Sequence, residues 1–148
     1  MRVLVVDEHG PGIEYPCSVG DRVRSFLRKD LEVEYTAVCL ASDLDKLSGP
    51  TRGFAVKALV STGWSMSLAD VGTKRVLSQA TMFELVVLLG RRVQAAVLWS
   101  QMSESLVYLA GTNESRFLCL PYPGCRDNWY GWDTNRALVA RFFRTALK

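Results

Sequence analysis

Short, wholly apolar runs alternate along this chain with longer segments whose apolar residues recur at helical spacing. Residues 3–6 and 85–89 are apolar at every position, which is typical of strands that are covered on both faces of a parallel sheet. Residues 54–60 are predicted to form a second central strand. Two shorter strands are predicted at residues 106–109 and 117–120.

Helices are predicted wherever apolar side chains recur three and four residues apart. The predicted helices begin at Ser18, Ser67, Arg91 and about Asp133, and they end near residues 31, 81, 99 and 147. Residues 34–47 are ambiguous, because residues 33–38 alternate like a strand whereas Leu40, Leu44 and Leu47 have helical spacing. We favour a helix there, since the run is long for a strand.

This alternation of strands and helices indicates an α/β fold with a parallel sheet. We therefore predict a three-layer α/β/α sandwich around a central, mostly parallel sheet of four strands. The chain has 148 residues, a usual size for one domain, and its sequence shows no repeat and no linker. We expect a single domain over residues 1–148.

The net charge and the length of the apolar runs indicate which partners and which cellular location to expect. The net charge is +3 and the pI is near 8.8, which suits a nucleic-acid partner, although a solvated surface explains the same charge more simply. The longest nearly apolar stretch, residues 85–99, is interrupted by Gly90-Arg91-Arg92 and is shorter than the about 20 apolar residues of a membrane span. The N-terminal apolar run meets Asp7 and Glu8 and does not resemble a signal peptide. We expect a cytoplasmic protein that does not contact a membrane.

The residues that commonly bind metals are few and widely spaced. The cysteines are Cys17, Cys39, Cys119 and Cys125, without a CxxC pair, and His9 is the single histidine. Structural zinc sites need closely spaced Cys and His ligands, so this spacing gives no such signature. We expect free thiols in a reducing compartment, with no metal and no cofactor.

Ionisable and aromatic residues follow the first and the last of the predicted central strands. Asp7, Glu8 and His9 come directly after residues 3–6, and such groups can orient water or stabilise a cation. Residues 121–132 mix aromatic, basic and amide side chains, which can follow a phosphate backbone and stack on bases. Open α/β sheets bind ligands at the carboxyl ends of their strands, so we expect both loops to face one crevice. The alternatives are a polar turn for the first loop and an aromatic cover over a hydrophobic edge for the second.

Two further segments have both a functional and a structural interpretation. Gly90-Arg91-Arg92 begins a helix directly after a strand, where backbone amides can hold a phosphate. Trp64 follows a predicted strand and could form the wall of a pocket. A glycine between strand and helix, and a tryptophan that fills a core, are the more common explanations.

Several of these segments form an ordered set of motifs that spans nearly the whole chain. They are Val5-Val-Asp-Glu-His-Gly-Pro11, Tyr15-Pro16 with Ser18-Val-Gly-Asp-Arg22, Phe54-Ala-Val-Lys-Ala-Leu59 with Trp64-Ser-Met66, Val86-Val-Leu-Leu-Gly-Arg91, and Leu120-Pro-Tyr-Pro-Gly124 with Trp129. The set resembles the uracil-DNA glycosylase superfamily, especially its small, divergent phage and bacterial members. The resemblance implies a four-stranded parallel α/β/α sandwich that hydrolyses the bond between a flipped base and its deoxyribose.

The resemblance also implies roles for particular residues. Glu8 or Asp7 would position water or stabilise the sugar cation, with His9 nearby, and Tyr122 would steady the departing base. The base pocket would be formed by Gly10, Pro11, Ala58 and Trp64, with Trp64 stacking on the base. The DNA would be contacted by Arg91, Pro123, Gly124, Arg126, Asn128 and Trp129.

The chain departs from the family pattern where the family places its chemistry. Asp7 and Gly10 stand where the family has glycine and asparagine, and Ala58 stands at the strand asparagine that reads the base. Tyr122 replaces a histidine; a tyrosine donates a hydrogen bond but not as a cation. Because a missing substrate hydrogen bond changes discrimination by a factor of about 10⁴, uracil is not the base we expect.

Three functional hypotheses follow. The first is a divergent glycosylase that acts on an unusual or modified base. The second is a catalytically inactive descendant that binds DNA, a nucleotide or a protein partner. The third is an unrelated flavodoxin-like, nucleotide-processing domain that holds a phosphate at the helix starting near Gly90.

Overall fold

A five-stranded, mostly parallel sheet forms the centre of the molecule in a computed structural model that describes residues 1–9, 23–111, 115–122 and 129–147. The strands are β1 (Arg2–His9), β2 (Glu32–Cys39), β3 (Leu85–Leu89), β4 (Tyr108–Gly111) and β5 (Arg116–Leu120). Their order is β2-β1-β3-β5-β4. β2, β1, β3 and β5 are parallel, whereas β4 pairs with β5 in the antiparallel direction. The fold class is therefore α/β, with one strand more than the four predicted.

The helices of the described residues are α1 (Gly49–Thr62), α2 (Met66–Ala80), α3 (Arg91–Leu98) and α4 (Asp133–Ala146). Short 3₁₀ helices lie at Ala41–Lys46, Trp99–Gln101 and Trp129–Gly131. The predicted helices at residues 67–81, 91–99 and 133–147 are confirmed, as are the strands at residues 85–89 and 117–120. The helix predicted from Ser18 begins outside the described residues. None of the described helices is long and apolar enough to cross a membrane.

The strand predicted at residues 54–60 is wrong, because this segment lies in α1. Pro50 stands in the first turn, where its missing N–H removes no helical hydrogen bond, and Gly63 ends the helix with φ +73°. Only Ala55 and Leu59 are buried, while Phe54 and Val60 are 71% and 80% exposed. With apolar residues on its outer side as well, the helix has no polar face that would distinguish it from a strand in the sequence.

The helix favoured for residues 34–47 is also wrong. Residues 32–39 form the edge strand β2, as the alternation indicated, and a 3₁₀ helix follows at Ala41–Lys46. Leu44 and Leu47, which had suggested helical spacing, pack against the core from this short helix and from the residue after it.

Apolar clusters lie on both sides of the sheet, because successive side chains of a strand face opposite sides. One cluster joins apolar residues of α1, α2 and α3 to Leu4, Val6, Val86 and Leu88. The other joins residues of the segment 23–31 and of α4 to Val3, Val5, Leu85 and Val87. Apolar residues of the four helices thus pack against the central strands, and the carboxyl ends of β1, β3 and β5 lie at one edge of the sheet.

Candidate functional site

The carboxyl ends of three parallel strands lie next to one another at this edge of the sheet. β3 is the middle strand: it pairs with β1 through Val6 and Leu88, and with β5 through Leu89 and Leu120. Glu8 therefore extends from β1 on one side of the β3–α3 junction, and Tyr122 follows β5 on the other.

Gly90 is the residue next to which the segments of Glu8 and Tyr122 come together. A Cβ atom placed on Gly90 would lie 3.2 Å from the Tyr122 Cβ and 3.5 Å from the Glu8 Oε1. The φ angle of Gly90 is +93°, in the region that favours glycine. The glycine thus allows a carboxylate and a phenol ring from distant segments to approach the same backbone position.

Glu8 has a cationic partner at the start of α3. Its side chain is 13% exposed, and its Oε2 lies 3.7 Å from a guanidinium nitrogen of Arg92. The Arg92 guanidinium also lies 6.0 Å from the centre of the Trp64 ring, and it donates a hydrogen bond of 3.5 Å to the Thr62 carbonyl. Arg92 thus bridges β1 and the α1–α2 loop. We did not predict a role for it, although the Gly90-Arg91-Arg92 sequence had marked the position.

The other residues of the first loop are placed differently. Asp7 lies within β1, where its backbone pairs with Ala37, and its carboxylate accepts a hydrogen bond of 2.7 Å from the Glu8 backbone N–H. The His9 backbone pairs with Cys39 at the end of the sheet. Gly10 and Pro11 lie outside the described residues, as do Pro123, Gly124, Arg126 and Asn128 of the second loop.

Ala58 does not occupy the strand position that the resemblance gave it. It lies half-buried on α1, where its carbonyl accepts a hydrogen bond of 2.9 Å from the Thr62 hydroxyl. Its assignment to a strand is therefore wrong. Trp64 is partly buried against the core, with its ring centre 6.0 Å from the Arg92 guanidinium.

Arg91 makes its hydrogen bonds with α3 and with the segment that follows it, not with Glu8 or Tyr122. Its guanidinium donates hydrogen bonds to the Ser103 carbonyl at 2.6 Å and to the Gln94 side-chain oxygen at 3.4 Å. The residue remains exposed, so part of its guanidinium can still meet a ligand.

The far end of the second loop is anchored by aromatic packing. Trp129 and Tyr130 meet edge to face with ring centres 4.9 Å apart, and the Asn135 side chain donates a 2.9 Å hydrogen bond to the Trp129 carbonyl. The Tyr130 hydroxyl donates to the Pro121 carbonyl at 2.6 Å. Trp129 is thus part of the structural support of this loop.

Two buried thiols lie close to the site. Burial raises the pKa of Cys119 to about 12, opposed by a hydrogen bond with Tyr108, and burial also raises the pKa of Tyr108 to about 12. Burial likewise raises the pKa of Cys39, and the charge of Glu8 adds to this whereas that of Arg92 opposes it. Both cysteines are free, and both remain neutral thiols at pH 7. Cys17 and Cys125 lie outside the described residues.

The arrangement combines a carboxylate and a phenol ring next to Gly90 with a guanidinium that contacts the carboxylate and lies 6.0 Å from the centre of an indole ring. A carboxylate can orient water or stabilise a cation, and a phenol can donate a hydrogen bond to a leaving group. Within residues 1–9, 23–111, 115–122 and 129–147, no three His, Cys, Asp or Glu side chains are grouped as metal ligands.

Comparison with known proteins identifies no relative of this chain. No family model matches the chain, and no curated protein or solved structure matches it either.

Proposed function

We propose that this chain is a divergent DNA glycosylase-like protein that receives a flipped, modified base at the carboxyl ends of β1 and β5. In this proposal the helices on the two sides of the sheet form the outer layers of an α/β/α sandwich, and the protein works on DNA in the cytoplasm. The motifs that resemble the uracil-DNA glycosylase superfamily support it, and so does the meeting of two of them in space.

The observation that carries the proposal is the contact of Glu8 and Tyr122 with the same glycine. They are 114 residues apart (122 − 8), yet both approach the position of a Cβ on Gly90 within 3.5 Å. A glycosylase needs a group that stabilises the sugar cation and a second group that stabilises the departing base. These two side chains supply one of each, from the two loops in which the family carries its chemistry.

The roles follow from the chemistry of the groups. The ionised Glu8 carboxylate positions water or stabilises positive charge on the sugar, since it carries negative charge in a nearly buried position. Tyr122 donates its phenolic proton to an acceptor atom of the departing base. Trp64 stacks its ring on the face of the base. Arg92, which is next to Glu8 and Trp64, contacts a phosphate of the flipped nucleotide.

A single-turnover excision assay on duplexes that each carry one modified base tests the proposal. We expect cleavage of at least one base by the wild type. Glu8→Gln should lower the rate by about 10²- to 10⁴-fold, the usual contribution of a positioned acid or base. Tyr122→Phe should lower it by about 10²-fold, since one hydrogen-bond donor is lost.

Asp70→Asn is the matched control, because Asp70 is an exposed carboxylate on α2. It should cleave at the wild-type rate. A correctly folded wild-type chain that cleaves none of the bases would contradict the catalytic proposal.

A binding protein without activity is the second candidate. The Glu8–Arg92 ion pair favours it, because a carboxylate with its own cation is less available to a substrate cation. In that case the chain binds DNA with an affinity that falls steeply with salt concentration, without excision. Fluorescence anisotropy of labelled duplexes over a salt series measures this slope, and a complete lack of binding points to a protein partner.

A further inference from the structure

Gln94 is a buried polar side chain close to the candidate site but not part of it. It is 1% exposed and lies on α3, one turn after Gly90. Its Nε2 donates a hydrogen bond of 3.0 Å to the Leu120 carbonyl. Its Oε1 accepts hydrogen bonds from the Tyr108 hydroxyl at 3.0 Å and from Arg91 at 3.4 Å. A buried amide with partners on both atoms is held in one position.

The partners also determine which way the amide faces. A guanidinium has only donors, so the atom of Gln94 that meets Arg91 must be the oxygen. A backbone carbonyl has only acceptors, so the atom that meets Leu120 must be the nitrogen. The two constraints agree, and the carboxamide satisfies both.

The Leu120 carbonyl is the point at which β5 ends and the second loop begins. It accepts one hydrogen bond from the Gly90 backbone N–H at 2.9 Å and the other from Gln94. The next carbonyl, that of Pro121, accepts from the Tyr130 hydroxyl. The backbone positions of Leu120 and Pro121 are therefore fixed, and they determine where the Tyr122 side chain begins.

We infer that Gln94 is a positioning residue that fixes Tyr122 against Gly90 by holding the Leu120 carbonyl. The catalytic consequence of this role rests on the proposed function, whereas the positioning itself does not. A group held in advance in its working geometry needs no reorganisation during the reaction, so loss of this hydrogen bond should slow chemistry more than it weakens binding.

Hydrogen–deuterium exchange of the full chain tests the positioning directly. In Gln94→Leu, a peptide that covers residues 117–122 should exchange about tenfold faster, because a hydrogen bond that restrains it is lost. Val76→Ala is the control: Val76 is fully buried in the apolar core on α2, and its side chain donates no hydrogen bond to the Leu120 or Pro121 carbonyl. It lowers global stability but should leave this peptide no more affected than the rest of the chain.

Kinetics on a base that the wild type excises give the second readout. Gln94→Leu should lower kcat about tenfold and leave KM within about twofold, the pattern of an interaction used in the transition state. Tyr108→Phe removes only the hydroxyl that donates to the Gln94 oxygen, so it should have the same effect at smaller size, and it replaces Gln94→Leu should that variant not fold.

The outcomes separate this inference from the proposed function. If no base is excised but residues 117–122 exchange faster, the proposed function fails and the positioning role stands. If exchange of this peptide rises equally in Val76→Ala, Gln94 acts only on global stability and the inference is overturned. Unchanged exchange in a folded Gln94→Leu overturns it as well.

Discussion

Arg75 and Arg92 both reach from a helix to the end of a strand, yet the structure uses them in opposite ways. Arg75 is 19% exposed and contacts Asp43 at 3.2 Å, the Thr36 hydroxyl at 2.8 Å and the Ala37 carbonyl. Arg92 is 50% exposed, and its contacts with Glu8 and Thr62 are 3.7 and 3.5 Å long. The Arg75 guanidinium thus uses its hydrogen-bond donors within the protein, whereas half of the Arg92 side chain remains exposed to solvent and accessible to a ligand. The difference indicates which charged residues serve stability and which are available for function.

The largest expected effect comes from removal of the internal partner. Arg75→Met leaves the Asp43 carboxylate, which is 5% exposed, with the Lys46 ammonium at 3.4 Å as its remaining cation, and it removes the guanidinium hydrogen bonds to Thr36 and Ala37. We expect the free energy of unfolding to fall by about 3 kcal/mol, the low end of the cost of breaking a buried ion pair. Chemical denaturation at neutral pH measures it.

Arg92→Met is the matched variant at the candidate site. Half of its side chain is in solvent, so the change in unfolding free energy should stay below about 1 kcal/mol. DNA affinity or excision should fall instead. If Arg92→Met is as destabilising as Arg75→Met, the distinction between the two arginines does not hold.

Two glycines extend the comparison from charges to the backbone. A Cβ on Gly72 of α2 would overlap the Val38 carbonyl oxygen, so Gly72→Ala must push α2 away from β2. We expect a loss of about 2 kcal/mol in unfolding free energy. Gly53→Ala on α1 is the control, because a Cβ there meets nothing within 4 Å. That change should stabilise the chain by about 0.5 kcal/mol, since alanine is the better helix former.

Gly90→Ala should affect the site more than the fold. The positive φ angle and the contacts with Tyr122 and Glu8 make a loss of about 1–2 kcal/mol in stability reasonable. The side chains that must move are those of the proposed reaction, so activity per folded molecule should fall by at least about tenfold. Gly72→Ala, compared at equal folded fraction, should keep its activity. Equal activities of the two folded variants would show that Gly90 has no special role at the site.

The sequence allowed prediction of the elements whose burial is uniform or follows one side of a helix, and prediction failed where neither pattern is clear. Leu85–Leu89 is wholly buried, and its strand was predicted with the correct bounds. α1 was mistaken for a strand because Phe54 and Val60 face solvent, so its apolar residues show no helical side. In the 3₁₀ helix at Ala41–Lys46, the buried residue Asp43 contacts Arg75, which lies 32 residues further on. That interaction has no local signal.

The candidate site shows the same limit. Glu8 and Tyr122 could be found because both follow predicted strands, and the carboxyl ends of parallel strands lie at one edge. Arg92 and Gln94 could not, because their significance depends on contacts with Glu8, Leu120 and Tyr108. A glutamine in the middle of a short helix has no distinguishing pattern until the neighbouring strand is in place.

The free energy of unfolding should depend on pH through two buried thiols, those of Cys39 and Cys119. Burial is the largest cause of the raised pKa of Cys39; the charges of Glu8 and Asp43 raise it further, whereas the hydrogen bond with the Ser65 carbonyl and the charge of Arg92 lower it. Cys119 lies on β5 behind the site, and burial raises its pKa from an ordinary 9.0 to about 12. Both thiols should therefore stay protonated in the folded state at a pH where they ionise in the unfolded chain.

The sign of the effect follows from proton release. Below about pH 9 both states of Cys119 hold the proton, so its contribution to stability is complete. Between about pH 9 and 12 the unfolded chain releases this proton and the folded chain does not, so the unfolded state gains and stability falls as the pH rises. At pH 10 the loss from this thiol should be about 1 kcal/mol relative to pH 8. Urea denaturation at the two pH values should show a shallower loss for Cys119→Ala than for the wild type, whatever the baseline stability of the variant. Cys39→Ala should act in the same direction, and identical slopes in all three proteins would mean that neither thiol is protected from ionisation by the folded core.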